Sequence, residues 1–318
     1  MELIIDNTFD GRTVKDWLYQ NGVSRGMITR LKKLDDGLLV NGERVTVRRV
    51  LHAGDRFFIA VDDSFDEENS LLIPTNMPVD ILYEDNDVVA VNKPCGMPTH
   101  PTRGHFTDTL ANALTFYFSS RGKPFIFRAV NRLDRDTSGI VLVAKNRLAA
   151  SAYSALMQDG EIRKSYIAVL NGVPAESGVI DAPIRRKNTS TMLREVCREG
   201  AEGSKSAVTR YKLLARGRDG KISVVLAEPV TGRTHQLRVH FAHIGCPLVG
   251  DGLYGTSETM LSDVDRLISR HALHAAKLRI CRENLLMELC APFPEDMKRL
   301  VSLTEYASSE ELCQILRV

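Results

Sequence analysis

Apolar residues fall along this chain in two kinds of run. Short runs rich in β-branched residues at Val88–Val91, Ile140–Ala144, Tyr166–Leu170, Val208–Leu214 and Ile222–Leu226 predict strands. Longer stretches at Thr109–Phe118, Leu148–Met157 and His235–Ile244 predict helices. The two kinds do not alternate regularly as βαβ units would, so the pattern predicts an α+β domain with a mixed, largely antiparallel sheet rather than a doubly wound one. No internal repeat is evident.

The first sixty residues follow a separate logic. In RTVKDWLYQNGVSRGMITRLKK, Val14 and Leu18 and then, past the Asn21-Gly22 break, Met27, Ile28 and Leu31 predict two short helices. DGLLVNGERVTVRRVLHAGDRFFI follows, with Asp-Gly and Asn-Gly turn signals between short β-rich runs. Next, VDDSFDEENS carries five acidic residues and no basic one, before a proline-containing stretch ending at Pro78. The expected organisation is a small α/β domain over 1–62, an acidic linker over 63–78 and a main domain over 79–318.

Composition adds exclusions. At 318 residues, 43% hydrophobic and 26% charged, the chain has room for two ordinary globular domains. It has no run of eighteen apolar residues, and MELIIDNTFDGR lacks the basic region and apolar core of a signal peptide, so the expectation is a cytoplasmic protein with no membrane role. The six cysteines, at 95, 197, 246, 281, 290 and 313, form no CxxC pair, which argues against a zinc ribbon or redox dithiol. Net charge is only +2, but Gly11–Ala60 holds ten basic residues against five acidic ones, a footprint suited to a polyanion.

The chemistry concentrates in NRLDRDTSG, Asn131–Gly139, ahead of the apolar run Ile140–Ala144. Carboxylates are rarely buried unless paired or working, so Asp134 demands a reason. One reason is structural: Asp136, Thr137 and Ser138 could hydrogen-bond their own backbone before a strand. Another comes from resemblance. NRLDRDTSG is similar to the HRLDxxTSG signature of the RluA family of pseudouridine synthases. So are ILYEDNDVVAVNKPCGMPTHP (Ile81–Pro101), EPVTGRTHQLRVHFAHIGCPLVGDGLYG (Glu228–Gly255) and RHALHA (Arg270–Ala275) to further family segments. Four ordered blocks across Val79–Pro294 are more specific than any one string.

The resemblance implies an RNA-modifying isomerase that detaches uracil from its ribose, turns it and rejoins it through a ring carbon. Nothing is oxidised or reduced, so neither cofactor nor metal is expected. Asp134 falls on the family's catalytic aspartate, and Arg238 on the arginine that pairs with it and offsets its desolvation. Tyr166 matches the tyrosine lying against the target ring, where a flat face suits stacking better than the hydroxyl suits proton transfer. A uridine in folded RNA must first leave its stack, and Arg132 matches a position supporting that flipped-out state. Arg233 and Leu237 are expected at the substrate, Lys93 and Tyr254 in the pocket wall, and Arg185-Arg186-Lys187 either along RNA backbone or in a solvated loop. The N-terminal segment resembles an S-four-like RNA-binding module, with Arg25, Arg30, Lys32, Lys33 and Arg44 as phosphate contacts. The implied partner of this monomer is structured RNA, ribosomal RNA before transfer RNA.

One departure stands out: the family usually has histidine where this chain has Asn131, which keeps hydrogen bonding but not a titratable ring, and so fits a structural role. Other readings compete. Asp134-Arg135-Asp136-Thr137 could be the DxD nucleophile of a magnesium-dependent phosphatase, although Arg128, Asn131 and Arg132 break the apolar lead-in such a site wants. His235, His240 and His243 lack the HExxH arrangement of a zinc site. An inactive RNA-binding or ribosome-assembly factor could keep the fold, although it would have no need of Asp134, Tyr166 and Arg238 together.

Overall fold

The computed structural model describes residues 2–23, 25–60, 72–123, 125–188, 192–255, 262–282, 285–305 and Leu312. The N-terminal body comprises β1 (Glu2–Ile4), α1 (Val14–Gln20), α2 (Arg25–Leu31), β2 (Leu38–Val40), β3 (Glu43–Arg44) and β4 (Arg56–Ile59). Its strands form one antiparallel sheet in the order β1-β4-β2-β3. Thr13 and Asp16 close a capping box that starts α1. Asn41 and Gly42, both at positive φ (54° and 85°), turn β2 into β3 with the twist a two-residue hairpin needs. Trp17, Leu18, Ile28, Leu31 and Phe57 fill a core of their own. Arg25, Arg30, Lys32, Lys33 and Arg44 are all exposed on its outside, Arg44 pairing with Asp35 at 2.9 Å.

Residues 63–71 of the expected linker lie outside the described residues. From Leu72 the chain is already fixed to the main body. Asn112 Nδ2 donates to the Ile73 carbonyl at 2.8 Å and Thr75 N to the Asn112 carbonyl at 3.2 Å.

The main body is built on one large sheet. Its elements are β5 (Ile81–Glu84), β6 (Val88–Lys93), α3 (Leu110–Ser119), β7 (Arg128–Ala129), β8 (Ser138–Ala144), α4 (Arg147–Gln158), β9 (Ile162–Asn171), β10 (Ser177–Asp181), β11 (Ile184–Arg186), β12 (Arg194–Val196), β13 (Val208–Arg216), β14 (Ile222–Pro229), α5 (Gln236–His243), α6 (Ser262–Asp265), β15 (Leu273–Arg282), β16 (Leu285–Cys290) and α7 (Glu295–Val301). The strand order is β10-β13-β14-β9-β15-β8-β6-β5, with β7 beside β8 and β16 beside β15, and β11-β12 forms a separate hairpin. Every pairing is antiparallel except β8 with β15 at the centre. This is the α+β architecture with a mixed, largely antiparallel sheet that the sequence pattern predicts. Alternate residues supply its two faces: Val89, Val91, Val141 and Val143 pack under α3, while Val88, Ala90, Ile140 and Leu142 share a cluster with Tyr153 and Leu156 of α4.

The parallel pairing depends on Gly139. Its φ is +112°, and a Cβ there would run into the Ala275 carbonyl, so only glycine lets β8 and β15 approach so closely. A second close approach joins the two bodies. Leu148 of α4 is buried in the N-terminal core, Ser151 Oγ donates to the Gly22 carbonyl at 2.7 Å, and a Cβ on Gly22 would strike the Ala152 backbone. No helix among the described residues is long and apolar enough to cross a membrane, and the five described cysteines are free.

Candidate active site

Where the loop after β7 faces the start of α5, the sheet opens into a cavity of about 400 Å³. Asn131, Arg132, Leu133 and Asp134 form one wall, Lys164 and Tyr166 of β9 another, and Thr231 to Arg238 a third. Residues far apart in sequence thus converge: Asp134, Tyr166, Arg132, Arg233, Leu237 and Arg238 all line it. Tyr254 and Lys93, expected in the pocket wall, are not among the residues that line it.

The Asp134 loop is held from every side. Asn131, itself buried, donates through Nδ2 to the Ile140 carbonyl (3.1 Å) and accepts from Leu142 N (2.8 Å), stitching the loop onto β8. Thr99 Oγ1 donates to the Leu133 carbonyl at 3.0 Å, while Leu133 sinks into the core. Lys93 Nζ donates to the carbonyls of Pro94, Met97 and Arg135 at 2.8, 2.8 and 3.0 Å. Burial pushes Lys93 down to about 7, and three carbonyl acceptors favour its charged form. Thr137 Oγ1 meets His271 Nε2 at 2.7 Å and Ser138 Oγ meets His274 Nδ1 at 2.9 Å. Arg270 forks onto Asp296 and donates to the carbonyls of Asp136 and Leu273. Asp136 itself is tied to Arg135 by two bonds of 2.9 Å. With its neighbours pinned, the Asp134 carboxylate is left partly open to the cavity, at 28% side-chain exposure.

Arg238 reaches this carboxylate without being spent on it. Its Nε and Nη2 fork onto the fully buried Asp251, both at 2.7 Å, leaving Nη1 3.8 Å from Asp134 Oδ2. Although burial opposes it, the fork holds Asp251 below the usual carboxylate range. The expected pairing of Arg238 with Asp134 is therefore shared: one guanidinium faces two carboxylates and is oriented by the deeper one. Nothing in the sequence alone singles out Asp251, which lies in the GDGLYG segment. The Tyr254 ring stacks over Arg238, with the guanidinium 5.0 Å from its centroid.

His235 is the site's strained residue. It sits at φ +58° immediately before α5, a left-handed conformation that is costly for a non-glycine residue and that gathers at functional sites. Its Nδ1 meets Tyr254 Oη at 2.6 Å, its Nε2 lies 3.9 Å from Asp134 Oδ2, and burial lowers its pKa. Gln236 fastens the preceding turn: Oε1 accepts from Thr231 Oγ1 (2.7 Å) and Arg233 N (3.0 Å), and Nε2 donates to the Val208 carbonyl and Thr209 Oγ1. His240 is buried between Thr209 Oγ1 and the Ala182 carbonyl, an ordinary satisfied histidine. No group of three or more His, Cys, Asp or Glu among the described residues is arranged to hold a metal ion.

Tyr166 is 7% exposed, and burial, then the Asp134 charge, raise its pKa, so the hydroxyl stays protonated and the ring presents a flat apolar wall. Arg132 and Arg233 are exposed at the rim, Arg233 Nε donating to the Ser206 carbonyl at 2.9 Å. In the hairpin β11-β12, Arg186 and Lys187 are exposed while Arg185 pairs with Glu195 at 2.8 Å. Altogether the cavity offers a poised carboxylate, a fixed cation beside it, an aromatic wall and a cationic rim.

Comparison with known proteins agrees with that geometry. Residues 87–243 match the family model described as RNA pseudouridylate synthase. An uncharacterized RNA pseudouridine synthase of Bacillus subtilis, YhcT, is 38% identical over 266 residues, covering 82% of this chain and 83% of that one. Ribosomal large subunit pseudouridine synthase D of Yersinia pestis is 35% identical, over 89% and 88% of the two chains. Among solved structures, human RNA pseudouridylate synthase domain containing 1 is 32% identical with a TM-score of 0.58, covering 76% of this chain and 95% of that one.

Proposed function

The chain belongs to the RluA family of RNA pseudouridine synthases, and from that premise we propose that it isomerises uridines of ribosomal RNA in the cytoplasm, with Asp134 as the attacking carboxylate. The observation that carries this reading is the shared guanidinium. Arg238, fixed by Asp251, holds a positive charge 3.8 Å from the Asp134 carboxylate and leaves that carboxylate open to the cavity and free to attack. The target uridine leaves its stack and enters the cavity, its ring against Tyr166, while Arg132 and Arg233 face the RNA at the rim. Glycosidic cleavage sends the bonding pair of C1′–N1 into the uracil ring. After the ring turns, C5 bonds to C1′ as the bond that Asp134 formed there breaks and returns its electron pair to the carboxylate; a proton leaves C5 and N1 gains one, so atoms and charge balance without any added reagent.

Ribosomal RNA is favoured over transfer RNA because a ribosomal large subunit synthase is similar over nearly nine-tenths of both chains. The exposed cations of the N-terminal body, read as an S-four-like module, supply phosphate contacts beyond the cavity. The test is Asp134→Asn. It is expected to abolish pseudouridine formation in total RNA from cells lacking the gene, mapped base by base, while RNA affinity is retained. Turnover by this variant, or no uridine converted by the wild type, would overturn the assignment.

A further inference from the structure

One ionisable group in the cavity has no task in this account. Lys164 lies two residues before Tyr166 on β9, about 7 Å along the strand, and both side chains line the cavity. It reaches toward the turn at Gly232, where a Cβ would lie 3.8 Å from its Nζ. Among the described residues its ammonium has no hydrogen bond and no ion pair. This sets the half-buried Lys164 apart from the fully buried cations around the site: Arg238 has Asp251, Arg270 has Asp296, and Lys93 has three carbonyls. Burial lowers its pKa with no opposing charge to restore it. An unpaired ammonium held partly out of water costs stability, and a bound ligand can supply its counter-charge.

The ligand chemistry follows from position. RNA phosphates lie outside a pocket that admits one base, and the exposed Arg132 and Arg233 occupy that rim. Lys164 stands inside, beside the aromatic wall. Either covalent route open to a carboxylate, at C1′ of the sugar or C6 of the base, drives an electron pair into the uracil ring. The charge then spreads over ring nitrogen and the two carbonyl oxygens, and those oxygens need a cation or donors.

We propose that Lys164 is the electrostatic partner of the uracil ring, holding a carbonyl oxygen of the flipped base and stabilising the negative charge that develops there during bond cleavage. This rests on the reading that the cavity takes the target uridine. The Asp134→Asn test separates the two: turnover in that variant removes the reading, whereas loss of turnover there with full activity in Lys164→Met removes only this inference.

The experiment compares the full-length wild type, Lys164→Met and Lys164→Arg under single-turnover conditions, with excess enzyme on total RNA from cells lacking the gene. Affinity for the same RNA is measured across salt. Lys164→Met is expected to slow the single-turnover rate by ~100- to 1000-fold, the cost of losing one preorganised group at a developing oxyanion. Affinity and its salt slope stay near wild type, and Lys164→Arg recovers most of the rate. Lys164→Met also melts no lower than wild type, because it removes an unpaired charge. A wild-type rate in Lys164→Met overturns the proposal. So does an unchanged saturating rate with a salt slope reduced by ~1, the signature of a phosphate contact, and so does a large drop in melting temperature, which would make the lysine structural.

Discussion

Asp251→Asn isolates the contact on which the site's charge arrangement depends. The wild-type pair is deeply buried, Arg238 at 5% and Asp251 at 1% exposure, and both fork bonds are 2.7 Å. Asparagine can accept one of those bonds, but its amide turns a donor toward the guanidinium and its neutrality leaves the cation without its partner. Breaking a buried pair from one side costs ~3–5 kcal/mol, and the remaining bond places this case near ~3 kcal/mol. For a body of this size that lowers the melting temperature by ~6–12 °C. The assay is thermal unfolding of the single variants Asp251→Asn and Arg238→Met and of the double variant. Because the double variant strands no buried charge at this pair, it should be at least ~2 kcal/mol more stable than the sum of the single losses. A loss below ~1 kcal/mol in Asp251→Asn, or simple additivity in the cycle, would show that the fork does not govern Arg238.

Two further outcomes follow from other parts of the molecule. Burial pushes His271 down to about 3 and His274 down to about 4, so the unfolded chain takes up protons near pH 6.5 while the folded chain does not. Their stabilising contribution is therefore complete above pH 6.5 and lost as pH falls toward 4, by up to ~1.4 kcal/mol per histidine per pH unit. Urea unfolding between pH 7 and pH 4.5 should show His274→Gln with a shallower acid slope than wild type, and equal slopes would contradict the buried neutral ring. On the N-terminal body, replacing Arg25, Arg30, Lys32 and Lys33 together by glutamine should weaken RNA binding and flatten its salt dependence by ~0.7–0.9 for each phosphate no longer neutralised, with the saturating rate intact. Affinity that stays the same across salt would show that this face does not meet RNA.

The sheet was legible where burial is apolar. β6, β8, β9, β13 and β14 all appear where the runs predict them: β6 and β8 are covered on both faces and carry near-continuous aliphatic sequence, while β13 alternates buried and exposed positions. The central strand β15 escaped that pattern. In LHAAKLRICR, His274 and Lys277 are buried and have partners elsewhere in the chain, His274 in Ser138 and the Ala291 carbonyl and Lys277 in Glu288. Pattern reading assigns such residues to the surface, because partners so far along the chain leave no periodic trace. The same limit applies to the site. Asn131, Arg132 and Asp134 stand together in one motif and could be read together, whereas the role of Asp251 depends on where α5 places Arg238.

The charges around Asp134 explain why one arginine facing two carboxylates is a workable arrangement. Had Arg238 paired with Asp134 through its full fork, the carboxylate would be tightly held in a dry contact, and attack would first have to break two short charge-assisted bonds. With the fork given to Asp251, the guanidinium keeps its orientation throughout the reaction, and only a 3.8 Å contact links it to Asp134. That contact is close enough to set a cation beside the carboxylate and long enough to leave the oxygen free. Asp251 thus lets the guanidinium stand beside Asp134 without closing off its carboxylate. The charge that then builds up on uracil is what Lys164 is proposed to meet, since it lines the cavity beside Tyr166 while Arg132 and Arg233 stand exposed at the rim.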